Sequence, residues 1–337
     1  MPQIYPREIA QVSLRNHMSG APPLPKTVLR LSVTERCNFA CLYCMPPGGI
    51  PKTVHKALPS LSQLLTAVGW LIREQNVNRI KITGGEPLLR PGLVDLVKEL
   101  ARLPGIGDLS LTTNGSRLRY MAADLRNAGL NRVNVSLDTL NPDEFYRLTH
   151  GRLEQVLAGI EAALTAGLKP MKLNAVLRRS RWREDVPELI GYAARMGLDV
   201  RFIELMKTGA AAEWASAEFV SAVEVRNWLG RQAALSDLPG DESAPARSTK
   251  VDWKGSPVKV GWITALSQPF CDHCHRLRLD CHGRLRRCLM DPVWLPLLEM
   301  LKAYPEAEVR SATEEYLQLK RAPQFMGSEQ VMASVGG

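Results

Sequence analysis

From residue 28 to residue 205 the spacing of apolar positions switches repeatedly between two periods. Val28-Leu-Arg-Leu-Ser-Val33 is an apolar run of strand character. Ser60 can cap a helix running to about Gln75, because Leu61, Leu64, Leu65, Val68 and Leu71 recur at helical spacing. Arg79–Thr83 then reads as a strand, Gly84-Gly-Glu-Pro87 turns the chain, and Pro91 begins a helix through Leu103. The cycle continues with strand Leu109–Thr113 and helix Leu118–Ala128, then strand Arg132–Leu137 and helices from Pro142 and Leu153. Strand Met171–Leu177, helix Val186–Met196 and strand Val200–Leu205 complete it. Six such units predict an α/β protein with a parallel sheet, curled as a partial barrel or open and doubly wound. In either case the functional site is expected at the carboxyl ends of the strands. Cys37–Cys44, Gly84–Pro87, Thr112-Thr-Asn-Gly115 and Ser136-Leu-Asp138 all fall at such ends and are expected around one pocket.

From about Ala210 the repeat fades. Helix Ala222–Leu229 precedes Leu235–Val251, whose Pro, Ser, Asp and Gly content predicts a loop or linker. Val258–Thr264 is a further strand candidate, and after Pro292 two amphipathic helices lead to a polar tail ending Gly336-Gly337. Pro22-Pro23-Leu24-Pro25 marks an extended lead-in. The expected division is a lead-in over 1–27, a strand–helix unit over 28–210 and an extension over 211–337.

Composition changes this picture little: 23% charged and 45% hydrophobic residues are the proportions of a globular protein. No apolar run approaches the roughly 18–20 residues of a membrane span, and the first 27 residues contain no apolar signal region, so a cytoplasmic location is expected. The net charge of +9 suits a polyanionic partner without choosing one. No aromatic RNA-binding motif or basic arm accompanies the charge, so nucleic acid and membrane are not expected partners.

The cysteines alter the reading most. Cys37-Asn-Phe-Ala-Cys41-Leu-Tyr-Cys44 places three thiols on one loop directly after the first strand. A cubic iron–sulfur cluster has four irons, so three ligands would leave one iron open to a small molecule. Three buried free cysteines, or a zinc knuckle with a distant fourth ligand, are the competing readings. Six of the seven cysteines form two triplets, which is metal-ligand usage and not a disulfide framework. The second triplet is Cys271-Asp-His-Cys274 and, after thirteen intervening residues, Cys288. Zinc competes there, since His273, His275, Cys281 and His282 lie close by, and Cys271–His275 also fits the haem-attachment pattern, which normally requires export. Arg276-Leu-Arg-Leu279 alternates with period two, so both guanidiniums face one side: a charged edge strand, or a site for phosphate or a purine edge.

The C-x3-C-x2-C spacing resembles the signature of the radical S-adenosylmethionine (SAM) enzymes. Together with Ile82-Thr-Gly-Gly-Glu-Pro-Leu-Leu-Arg90, Thr112-Thr-Asn-Gly115, Val133-Asn-Val-Ser-Leu-Asp138, Arg201-Phe-Ile-Glu204, the second triplet with its paired arginines and the terminal Gly-Gly, it resembles one family within them, the GTP 3′,8-cyclases of molybdenum cofactor biosynthesis. The resemblance implies a partial (β/α)6 TIM-type barrel of the radical SAM core with a C-terminal extension carrying a second [4Fe–4S] cluster. It implies Cys37, Cys41 and Cys44 as ligands of the SAM cluster, and Cys271, Cys274 and Cys288 as ligands of the second. Tyr43, Gly85, Ser136 and Met206 match SAM contacts. Arg30, Lys81, Thr112, Lys172, Arg201, Arg276 and Arg278 match the GTP side, with Arg30, Arg276 and Arg278 also implied as catalytic.

The implied reaction is cleavage of SAM to a 5′-deoxyadenosyl radical, hydrogen removal from C3′ of GTP, and closure onto C8 of the guanine. Implied partners are GTP as substrate, an electron-donor protein, the downstream cyclic pyranopterin monophosphate synthase and a second copy in a homodimer. The diglycine tail is implied to enter the barrel mouth. Three residues depart from the family's pattern: Lys81 where an arginine is expected, Lys207 where an acidic residue is expected, and the additional Cys281.

Overall fold

The structure is a computed structural model that describes residues 26–46, 58–240 and 243–319. The expected lead-in at Pro22–Pro25 and the Gly336-Gly337 tail lie outside the described residues.

Strands and helices alternate as the apolar spacing predicts: β1 (Thr27–Ser32), α1 (Leu61–Gln75), β2 (Val77–Thr83), α2 (Leu93–Arg102), β3 (Asp108–Thr113), α3 (Ala122–Asn127), β4 (Arg132–Ser136), α4 (Pro142–Thr149), α5 (Leu153–Thr165), β5 (Lys172–Leu177), α6 (Trp182–Met196) and β6 (Asp199–Glu204). The start of α1 is a capping box: Ser60 Oγ accepts from the Gln63 amide, and the Gln63 side chain accepts from the Ser60 amide. Ala67, Val68 and Leu71 of α1 join Leu29, Leu31, Ile80 and Ile82 in one fully buried core. Each strand gives alternate residues to that core, as a pleated strand must.

Local boundaries differ from expectation in two places. The predicted helix 118–128 is a short 3-10 turn at Leu118–Tyr120 followed by the separate α3. Helix α6 begins at Trp182, before Pro187, with buried Trp182 and the acidic Glu184 and Asp185 in its first turn. Acidic side chains there offset the unpaired amides of the helix start.

After β6 come α7 (Ala215–Glu218), α8 (Ala222–Leu229), β7 (Ala234–Leu238), β8 (Arg247–Trp253), β9 (Ser256–Ile263), β10 (Arg276–Leu279), β11 (Leu285–Arg286), α9 (Leu297–Ala303) and α10 (Glu306–Gln318). All strands belong to a single sheet of order β11-β10-β1-β2-β3-β4-β5-β6-β9-β8-β7. The predicted loop at 235–251 is therefore corrected: it contains β7 and most of β8, paired antiparallel from Ala234↔Asp252 to Leu238↔Ser248. These strands lie at the outer end of the sheet, where one face is exposed, so polar side chains are tolerated. Strand β10 is not an edge strand: it runs parallel to β1 and antiparallel to β11.

The sheet is strongly curled. Arg30 on β1 and Arg201 on β6 interact electrostatically. Five strand spacings of about 4.8 Å would hold them roughly 24 Å apart in a flat sheet. The face that carries them therefore closes on itself as the lumen of a partial barrel.

Candidate active site

The cysteine loop leaves β1 and is clamped on both sides. Against the next loop, the Gly85 amide donates to Thr34 O at 2.7 Å and the Glu86 amide to Arg36 O at 2.8 Å. A Cβ on Gly85 would lie 2.4 Å from Arg36 O, so only glycine permits this approach. Against α4, the Ala40 amide donates to Thr149 O and the Leu42 amide to Leu148 O, while Phe39 meets Phe145 edge to face.

Glu86 is fully buried and accepts from the Leu88 amide, the Asn114 amide and Thr113 Oγ1. Burial raises its carboxyl to about 7 against the pull of those donors. Asn114 in turn reaches Cys37 Sγ at 3.9 Å. At the loop's other end Tyr43 Oη donates to Asp138 Oδ2 at 2.6 Å, and Asp138 Oδ1 accepts from the Val176 amide at 2.7 Å. Tyr43 also packs on the small cluster of Leu205, Ala211 and Ala215, beside Met206.

Burial raises the thiols of Cys37 and Cys41, the latter with further contributions from Cys44 and Asp138. Converting such thiols to ligands calls for nearby positive charge, which bound iron provides. Three half-buried thiols on one fixed loop thus fit an iron–sulfur cluster.

The lumen is lined by polar rows set by strand register. One row runs Arg278–Arg30–Lys81–Ser110–Arg132 across β10, β1, β2, β3 and β4. Thr112, Asn134, Lys172 and Asp199 form the next, and Ser136, Asn174, Arg201 and Gly261 the one above. Cations outnumber the carboxylates Asp108 and Asp199, and the excess is visible in their titration. Burial, then Arg276 and Arg201, lowers Arg30 to about 10; burial, then Arg132, lowers Arg201 to about 10. Lys81 and Arg278 are held well below their ordinary values, first by burial and then by Arg30. Such a lumen favours a polyanion.

Two lumen cations already hold carboxylates: Arg132 pairs with Asp108, and Lys172 Nζ donates to Asp199 Oδ2 at 3.0 Å. The side-chain oxygens of Asn134 and Asn174 are buried without a hydrogen-bond partner, an arrangement that suits N–H donors of a ligand.

The second cysteine set sits at the edge of this lumen. Cys274 and Cys288 both lie within electrostatic reach of Cys271 and of Arg278, and Cys274 acts on Arg30 as well. Arg276 stacks over Phe270, 4.7 Å from the ring centroid. Buried Glu204 fixes the approach to this segment, accepting from the Leu266 and Ser267 amides, from Ser267 Oγ and from the Ala222 amide. Cys281 stands apart from this set; the charged groups acting on it are Glu35, Asp280 and Arg284.

The profile of the radical SAM superfamily matches residues 31–193, and that described as molybdenum cofactor synthesis C matches residues 198–326. The GTP 3′,8-cyclase of Alkaliphilus metalliredigens is 35% identical over 92% of this chain and 97% of its own length. The chain belongs to the GTP 3′,8-cyclase family. The GTP 3′,8-cyclase of Moorella thermoacetica is 39% identical over 92% of the chain and 97% of that relative. That of Peptoclostridium acidaminophilum is 42% identical over 77% and 79%. Among solved structures, Streptococcus suis SuiB bound to S-adenosylmethionine superposes with a TM-score of 0.59 over 85% of this chain and 68% of that one. At 12% identity that likeness shows a shared fold. Membership of the radical SAM superfamily implies a [4Fe–4S] cluster and SAM.

The cyclase fold brings the sequence-expected residues Tyr43, Gly85, Ser136 and Met206 to the strand ends near the first cysteine loop, and Arg30, Lys81, Thr112, Lys172, Arg201, Arg276 and Arg278 to one curled face. Residue-by-residue reading missed Glu86, Asp138 and Glu204, although all three stand inside motifs singled out for other positions. It also missed Arg132, Asn134 and Asn174. Their two-residue offset from expected lumen positions on β4 and β5 was the available signal.

Proposed function

We propose that this chain converts GTP to (8S)-3′,8-cyclo-7,8-dihydroguanosine 5′-triphosphate, the first step of molybdopterin biosynthesis, through two sites at opposite sides of one lumen. SAM and its [4Fe–4S] cluster, when bound, supply the radical that starts the cyclisation. Cys37, Cys41 and Cys44 would hold that cluster, and Tyr43, Gly85, Ser136 and Met206 would seat SAM on it. Asp138 and Glu86 act as positioning residues, fixing the loop from opposite ends. Cys271, Cys274 and Cys288 would hold a second [4Fe–4S] cluster beside the guanine.

In this reading Arg30, Lys81, Arg201, Arg276 and Arg278 take the triphosphate and the purine edge. Thr112 and Lys172 stand one register row nearer the carboxyl ends of the strands than Arg30 and Lys81, and Lys172 shares its charge with Asp199. Arg30, Arg276 and Arg278, closest to the second cysteine set, are the residues we assign a direct catalytic part. The lumen keeps the reacting ribose from water, and no side-chain acid or base is needed for hydrogen removal. Residues 28–210 form the radical-generating unit and 211–337 the substrate-side extension. The reaction further calls for a one-electron donor protein, for cyclic pyranopterin monophosphate synthase as the consumer of its product, and for a reducing compartment such as the cytoplasm. We extend the reading to a homodimer.

The observation that carries this reading is the excess of buried cations between two cysteine triplets, in a chain 35% identical to a GTP 3′,8-cyclase over 92% of its length. Anaerobic reconstitution followed by incubation with SAM, dithionite and GTP tests it. About eight irons per chain are expected for two cubic clusters, with 5′-deoxyadenosine formation that requires GTP. SAM cleavage indifferent to GTP, or triggered by a peptide instead, would overturn the proposal.

A further inference from the structure

Outside the two cysteine triplets, the structure brings together a third donor set. Glu35 stands two residues before Cys37, whereas Cys281 and His282 occupy the turn between β10 and β11, and one ligand atom from each lies within 4.8 Å of the others. Among the described residues this is the group of three His, Cys, Asp or Glu side chains that converges on the scale of a single ion. His282 Nε2 is 3.2 Å from Glu35 Oε1, and Cys281 is fully buried.

Both backbones that supply the donors are fixed independently of any ligand. Glu35 lies in the segment gripped by the Gly85 and Glu86 amides. On the other side Asp280 Oδ1 accepts from the His282 and Arg284 amides, at 3.0 Å each, closing the turn. Gly283, at φ +78°, seats the turn on α9, where a Cβ would come within 2.4 Å of Leu298 Cβ. A pre-set trio of this kind loses little further entropy on taking up an ion.

We propose that Glu35, Cys281 and His282 bind one borderline divalent cation of the zinc class, a mononuclear site that ties the first cysteine loop to the strand of the second. The donor chemistry fits: one thiolate, one imidazole and one carboxylate form a mixed S, N, O set typical of zinc, with a fourth position left for water. Charge fits as well. A dication with one thiolate, one carboxylate and a neutral imidazole sums to zero, which is the condition under which a buried site costs least. Loading displaces the thiol proton of Cys281 to solvent. The site accounts for the cysteine that the two triplets leave over. It is independent of which substrate the lumen takes.

The test uses the reconstituted holoprotein, equilibrated with zinc chloride and freed of loosely held metal by gel filtration. Metal analysis is expected to find about one zinc per chain retained alongside the cluster iron. Zinc-edge X-ray absorption is expected to show one sulfur at about 2.3 Å and nitrogen or oxygen at about 2.0–2.2 Å. His282→Ala, and separately the more conservative Glu35→Gln, should lose the zinc and keep the iron. Failure of the wild type to retain zinc, equal zinc in the variants, or a shell of three sulfurs, which would place zinc on a cysteine triplet, would each overturn the proposal. The iron count reports on the clusters separately, so failure here is distinguishable from failure of the cyclase reading.

Discussion

Asp138 does two jobs with two oxygens, holding Tyr43 with one and the Val176 amide with the other. Asp138→Asn keeps the shape and removes the charge, weakening a hydrogen bond of the class that contributes about 1.5–3 kcal/mol. We expect the rate of 5′-deoxyadenosine formation to fall about 10- to 100-fold with GTP affinity little changed. Tyr43→Phe should do much the same, and the double variant should be no worse than either single one. Additive losses would show that the pair does not act together. On the substrate side, Arg201→Met should weaken GTP binding by about 10- to 100-fold while leaving iron content intact, because a charge-assisted contact of similar size is lost. Cys281→Ser should retain both clusters, since the groups acting on Cys281 are Glu35, Asp280 and Arg284 and not the second cysteine set. Loss of the second cluster in that variant would refute the assignment of Cys288 as its third ligand.

Among the elements, α4 and α6 are joined through Arg178, whose side chain is 4% exposed and pairs with both Glu144 and Asp185. Removing Arg178 leaves Glu144 with Arg147 alone and Asp185 with Arg181 alone, a partial loss of compensation that costs about 1–3 kcal/mol. Arg178→Ala should therefore lower unfolding free energy by that amount in urea, and because α4 also anchors the cysteine loop, cluster retention should fall with it.

The repeating strands and helices of residues 27–204 were legible because each element carries its own period and its own caps, as the Ser60 box does. Strands β7 and β8 were not, because one face of that hairpin is wet and its Pro239-Gly240 segment reads as turn. Partnerships across strands were equally hidden. Lys172 with Asp199, Arg132 with Asp108, and Cys281 with Glu35 depend on register and curl, which no local pattern in the sequence specifies.

For the molecule as a whole, the crowded lumen sets a pH dependence and a ligand dependence. Arg30 and Arg201 are lowered to about 10 in the fold, below the ordinary guanidinium value they regain on unfolding, so above about pH 10 the unfolded chain binds more protons and stability rises with pH. At neutral pH the repulsion is fully present, and an anion can relieve it. Inorganic tripolyphosphate should accordingly raise the melting temperature. At about 100 times its Kd the stabilisation would be about 2.7 kcal/mol, and it should shrink as salt screens the lumen. A melting temperature insensitive to both would argue against a phosphate-binding lumen.

The pairing of β10 with β1 also has a consequence for biosynthesis. Residue 30 meets residue 278, so one edge of the first strand stays unpaired until nearly the whole chain has been made. At about 5–20 residues per second, the intervening stretch of roughly 250 residues takes about 12–50 s to synthesise. Throughout that interval the β1 edge is open to foreign strands, while the cysteine loop beside it is open to iron–sulfur delivery. A chain truncated before residue 270 should keep that edge permanently bare and form strand-paired aggregates, detectable by light scattering, that addition of a charge on β1 at Val28 suppresses.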